Sequence, residues 1–119
     1  MKKYIFYFSF LALAIWILTR FSVTQVHGNS MTPTYSDGDY LIVDLKKEPE
    51  DGDVVIIDTT TIDNWNHSST QIIKRYYTEY STDGLYVLGD NPEASYDSRY
   101  VGEIDKDCLV GVVVFSRRQ

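Results

Sequence analysis

Three stretches of this chain carry residues able to do chemistry. Residues 28–34 read GNSMTPT, which sets Ser30 in a tight polar turn, follows it with Met31 and stiffens the exit with Pro33. A serine hydroxyl is a poor nucleophile at neutral pH and needs a base within hydrogen-bond reach. Histidine is the usual base and a deprotonated lysine the alternative. Lys74 stands in QIIKRYY, flanked by Ile72, Ile73, Tyr76 and Tyr77. Side chains alternate along a strand, so Lys74 shares a face with Ile72 and Tyr76, and Arg75 shares the other with Ile73 and Tyr77. If the Lys74 face is the buried one, desolvation disfavours the ammonium and brings its pKa into the range useful for a base. The third stretch, GDNPEASYDSRYVG at residues 89–102, gathers Asp90, Ser95, Asp97, Ser98 and Arg99 around one proline. An Asp97–Arg99 pair among so many turn residues fits a rigid, self-bonded loop. Each stretch alone has a plain reading as a turn, a solvent-facing lysine or a solvated loop.

The elements that must position these residues are mostly strands. FSVTQVHG alternates apolar and polar residues and ends at Gly28, a strand entering a turn. SDGDYLIVDL and EPEDGDVVIIDT each read as a turn followed by an apolar strand. The polar stretch 59–70 has no period and reads as a loop; within it Asn66-His67-Ser68 fits a glycosylation sequon, a pattern common by chance. QIIKRYYTEYS is strand-like, TDG turns the chain, LYVLGD is another strand, and CLVGVVVFS closes the domain as a buried strand. No helix is expected beyond the N-terminal segment. The fold class is mostly β: a small antiparallel sheet domain.

The N-terminal segment differs from the rest. Lys2 and Lys3 precede an almost unbroken apolar run over residues 4–18, a little short of the roughly 20 residues that span a bilayer. Tyr4, Tyr7 and Trp16 suit the interfaces, and Arg20 is expected to snorkel outward. The following RFSVTQVHG offers a poor small-x-small cleavage pair, which favours an uncleaved anchor over a removable signal. The expected organisation is residues 1–22 as cytoplasmic lysines and transmembrane helix, and residues 23–119 as an extracytoplasmic β domain. The 119-residue chain has a formal charge of −6, and residues 21–119 hold all 17 acids. A domain so acidic repels phosphate, so nucleic acid is not an expected partner. The single cysteine, Cys108, and two separated histidines, His27 and His67, give no metal-ligand pattern.

Taken together and in order behind the anchor, GNSMTPT, DGDVVI, IIKRY and GDNPEASYDSR resemble the bacterial type I signal peptidases over residues 1–115. The resemblance implies the coiled antiparallel β-sheet of that family, no cofactor and no metal. It implies a single-pass cell-membrane location with the N-terminus cytoplasmic, and signal peptides of exported preproteins and the lipid bilayer as partners. It assigns Ser30 as nucleophile and Lys74 as general base, with the Ser30 backbone N–H donating to the oxyanion. Ser95 would orient the lysine, Asp97 and Arg99 would brace the site, and Arg75 would pair with Asp90. Val26, Gly28, Met31, Tyr35 and Ile73 would shape the substrate pockets. Gly28 stands where some members carry a serine as second oxyanion donor. The 14 residues between Lys74 and Gly89 leave no room for the large extra domain of other members.

Three other readings compete. A non-catalytic assembly factor for secreted or pilus subunits would use the same fold, but such relatives lose the serine or the lysine. A self-cleaving repressor-type Ser/Lys protease shares the fold and predicts a DNA-binding module and no anchor. A third reading makes His27 the base, although it lies only three residues before Ser30 on the incoming strand.

Overall fold

The computed structural model describes residues 2–63 and 65–117. It opens with α1 (Lys2–Arg20), followed by β1 (Phe21–Gln25), β2 (Tyr40–Asp44), β3 (Val54–Asp58), β4 (Gln71–Tyr76), β5 (Val87–Leu88), a four-residue helix α2 (Ser98–Val101) and β6 (Leu109–Arg117). The strands form one antiparallel sheet in the order β1-β2-β6-β3-β4-β5. This is the mostly β architecture with one apolar N-terminal helix that the sequence predicts.

α1 buries no residue. Its length and mean hydropathy of 1.3 suffice to cross a membrane, a property shared by anchors and signal sequences alike. Arg20 does not reach outward as expected. Its guanidinium donates twice to Asp44 Oδ2, at 3.2 and 3.0 Å, and its carbonyl accepts from Leu45 N–H at 2.7 Å. The buried Asp44 carboxylate thereby ties the end of the helix to the sheet.

The core is built from the inward faces of β3, β4 and β6 around Val55, Ile57, Ile72, Val87 and Val112. β3 is buried at four successive positions because it lies in the middle of the sheet, between β6 and β4. β6 bends where its register slips against both neighbours, between Ile42 and Val43 and between Ile56 and Ile57. Gly111 permits the close approach, since a Cβ there would stand 2.6 Å from Val43 Cγ1 and 2.7 Å from the Asp44 carbonyl oxygen.

Four sequence readings need correction. β6 is buried only in its first half; Val114 and Phe115 are exposed. β4 stops at Tyr76, because the Asp51 carboxylate captures the Thr78 N–H at 2.9 Å and residues 78–80 turn into a 3-10 helix. The strand expected over 85–90 shrinks to two residues. Its N–H groups are taken by side chains, with Val87 N–H donating to Ser98 Oγ and Gly89 N–H to Asp97 Oδ2, both at 2.9 Å. Finally, α2 forms inside the expected loop because Asp97 caps it, accepting from Arg99 N–H at 3.2 Å.

Candidate active site

The end of β1 runs through the buried Val26 into the serine turn. Gly28 takes φ +83°, a backbone conformation that favours glycine, and its N–H is bound to Asp37 Oδ1 at 2.8 Å. The turn closes on itself through Thr32 N–H to the Asn29 carbonyl and Tyr35 N–H to the Met31 carbonyl. Met31, 1% exposed, anchors it from below. From outside, Asn91 locks it: its N–H donates to the Ser30 carbonyl at 2.9 Å, and its side chain donates to the Asn29 carbonyl and Thr32 Oγ1 at 3.0 Å. The Ser30 hydroxyl and N–H are left without a hydrogen bond among the described residues.

Lys74 is on the buried face of β4, 3% exposed, paired in register with Val55. Burial pushes its pKa down to about 8, with the Asp97 charge opposing the shift and the Arg99 charge adding to it. A lysine of that pKa holds about a tenth of its molecules as free amine at pH 7, against a negligible fraction for a solvated lysine.

Ser30 and Lys74 line one cleft of about 660 Å³. Residues 24–31 form one wall and residues 69–74 the other. β5 pairs with Arg75 and Tyr76, so the outer edge of β4 over residues 71–74 carries no strand partner among the described residues. An open edge of this kind is where an extended peptide can add as a further strand.

The 89–102 stretch supports both walls. Asp97 is fully buried and accepts from Arg99 Nε at 2.9 Å, Arg99 Nη2 at 2.8 Å, Ser95 Oγ at 2.6 Å and Gly89 N–H at 2.9 Å. Burial alone would raise its pKa; the bonds from Arg99, Ser95 and Gly89 outweigh that and hold it below the usual carboxylate value. Asp90 makes a second brace. Arg75 grips it through Nε at 2.9 Å and Nη2 at 2.8 Å, Thr34 Oγ1 donates to it at 2.5 Å, and Arg75 Nη1 reaches the Gly52 carbonyl at 2.6 Å. One ion pair thus joins the serine turn, β4 and the turn before β3.

A family model described as Peptidase S24-like matches residues 17–114. The chain belongs to the peptidase S24-like family. A comparison with curated proteins finds no match. An S24-like peptidase has a serine-peptidase-type fold, and the matched span takes in Ser30, Lys74 and the whole of the bracing loop.

Within this S24-like domain the expected site residues fall into three groups. Ser30, Lys74, Val26, Gly28, Met31 and Ile73 border the cleft. Ser95, Asp97, Arg99, Arg75 and Asp90 form the two braces behind it. Tyr35 is a correction: it does not line the cleft. It sits half-buried beside the brace, its phenol pKa raised by burial, lowered by Arg75 and raised by Asp90, because Thr34 and the turn direct it toward that ion pair. Among the lining residues that the sequence reading passed over are three rings, Trp65 and His67 in the polar 59–70 loop and Tyr96 between Ser95 and Asp97. The signal available was two rings inside an otherwise polar loop.

Gly89 is the point at which the motifs meet. A Cβ there would collide with Ser95 Oγ and would stand 2.7 Å from the Ser30 carbonyl oxygen. Gly89→Ala is therefore expected to push the serine turn and Ser95 apart, lowering peptidase activity by about a hundredfold. It should cost only about 1–3 kcal/mol of stability, as overpacking does. Urea denaturation beside single-turnover kinetics would check the split.

Proposed function

We propose that this chain is a membrane-attached Ser/Lys endopeptidase that removes signal peptides from exported proteins. The observation that carries the reading is a buried, pKa-lowered Lys74 in the same cleft as an unpaired Ser30 hydroxyl, beside an open strand edge. The order of motifs shared with type I signal peptidases supports the substrate class. The apolar α1, preceded by lysines, supports a single-pass arrangement with residues 1–22 as cytoplasmic end and anchor and residues 23–119 outside.

The chemistry follows from the proton positions. Neutral Lys74 takes the Ser30 proton as Oγ attacks the scissile carbonyl carbon. The Ser30 N–H donates to the oxyanion that develops. The Gly28 N–H is committed to Asp37, so it supplies no second donor. The Lys74 ammonium then protonates the departing amine, and a water deprotonated by Lys74 hydrolyses the acyl-serine ester. Ser95 gives its only proton to Asp97, which leaves it lone pairs alone to offer the lysine. In this mechanism it is to accept an N–H from Lys74 and so turn the amine's own lone pair toward Ser30. Val26, Met31 and Ile73 narrow the cleft beside the serine, which suits alanine before the cut.

The test uses the full chain in detergent with a peptide carrying an Ala-x-Ala site. Cleavage is expected after the second alanine, and the residue before the cut should not tolerate phenylalanine. The working form of Lys74 is the neutral one, so activity should fall as pH drops through about 8, by about tenfold per unit below it. Binding without cleavage at pH 9 would support the assembly-factor reading instead. Cleavage of the chain itself but of no added peptide would support the self-cleaving one.

A further inference from the structure

Beside the Ser30–Lys74 pair, the same cleft has an aromatic wall that the reaction does not use. Trp65 and His67 come from the loop between β3 and β4, and Tyr96 from the bracing loop; all three line the cleft. Their rings form one cluster. Tyr96 packs against Trp65 at 5.0 Å and against His67 at 4.5 Å between centroids, and stacks on Tyr100 at 5.2 Å. The loop is fixed to the start of β4 by Thr59 N–H to the Thr70 carbonyl and by Thr59 Oγ1 to the Ser69 carbonyl. The Trp65 indole N–H is buried and has no hydrogen-bond partner among the described residues.

The loop delivers its rings at Gln71, three residues before Lys74 and about 10 Å from it along the strand. A peptide lying parallel to residues 71–74, with its scissile bond at Lys74, brings the fourth and fifth residues before the cut to this end, whereas an antiparallel one would bring residues after the cut. We propose that Trp65, His67 and Tyr96 form a substrate subsite that takes an aromatic side chain four or five residues before the cut. A fourth ring extends an edge-to-face cluster in a way that an alkyl chain cannot, and an acidic side chain meets no cation in this wall. The inference rests on the proposed endopeptidase reading and adds a second selection point to the small residue at the cut.

The experiment compares peptides that share an Ala-x-Ala site and carry Ala, Asp or Phe in turn at the fourth and fifth positions before the cut. Phe at one of these positions should lower KM by about five- to tenfold with kcat unchanged. Trp65→Ala or His67→Ala should erase the Phe preference. Binding is read separately in Trp16→Phe, Ser30→Ala protein, in which Trp65 is the only tryptophan; its emission should change on titration and saturate at lower concentration with the Phe peptide. Equal KM for Ala and Phe peptides at both positions, or unchanged Trp65 emission at saturating peptide, would overturn the subsite. If Trp65 emission titrates with Phe tighter than Ala while no peptide is cut by the Ser30 protein, the subsite stands and the peptidase reading falls.

Discussion

Ser30→Ala and Lys74→Ala are each expected to lower peptidase activity by at least about a thousandfold, with the double variant little worse than either single one. The two groups act as a unit: the hydroxyl attacks only while the amine accepts its proton, so removing one idles the other. Lys74→Arg should fail equally, because a guanidinium stays protonated. His27→Ala should keep most activity; the opposite pattern, a dead His27→Ala beside a working Lys74→Ala, would reassign the base. Stability separates the role of Lys74 from mere packing. Its folded pKa of about 8 lies below the 10.5 of a free lysine, so between these values the unfolded chain binds more protons. Stability therefore rises with pH through that window, and at pH 7 the buried charge is a cost. Lys74→Met should be inactive yet about 2 kcal/mol more stable at pH 7, with the advantage shrinking toward pH 10. Urea midpoints at the two pH values would check this. A Lys74→Met protein less stable than the parent at pH 7 would show that the amine is well solvated or paired.

Asp97→Ala should cost about 3–5 kcal/mol of stability, the largest loss from any single polar substitution in the domain. The carboxylate is completely buried and satisfies Arg99, Ser95 and the Gly89 N–H at once. Truncation leaves the buried Gly89 N–H and the Ser95 hydroxyl without that acceptor, and Arg99, a third exposed, turns to water. Asp97 keeps its charge through these bonds, with a folded pKa below the ordinary value. Its contribution is therefore present above about pH 4 and is lost as pH falls through the folded pKa. The milder Asp97→Asn has a second, independent readout. The Asp97 charge raises the Lys74 pKa while Arg99 lowers it. Removing the negative charge should move the acid limb of the activity profile below pH 8. A limb that stays in place, with activity lost only in proportion to unfolded protein, would make Asp97 a purely structural residue.

The sheet was legible in the sequence wherever period-two patterning coincided with turn chemistry. β2 follows SDGD and β3 follows EDGD, and both begin where those turns end. The errors lie where side chains replace backbone partners. Ser98 and Asp97 take the N–H groups of residues 87 and 89, so the strand expected there is cut short. A loop read as polar and without period holds two of the three rings of the cleft's aromatic wall, because those rings pack against Tyr96, some thirty residues on.

The sequence by itself determined the apolar N-terminal helix, the antiparallel β class and the residue types able to act: a serine in a polar turn, a lysine in an apolar strand, and an Asp-Ser-Arg loop. It also placed Lys74 on one face with Ile72 and Tyr76, since alternation is a local property of an extended chain. Only the tertiary structure decided that this face is the buried one. Burial depends on what covers a strand, here Val55 of the neighbouring strand and the 89–97 loop, and no periodicity within β4 encodes either. The lowered pKa of Lys74, the eviction of Tyr35 from the cleft and the meeting of Ser30 with Ser95 across Gly89 all follow from that long-range packing.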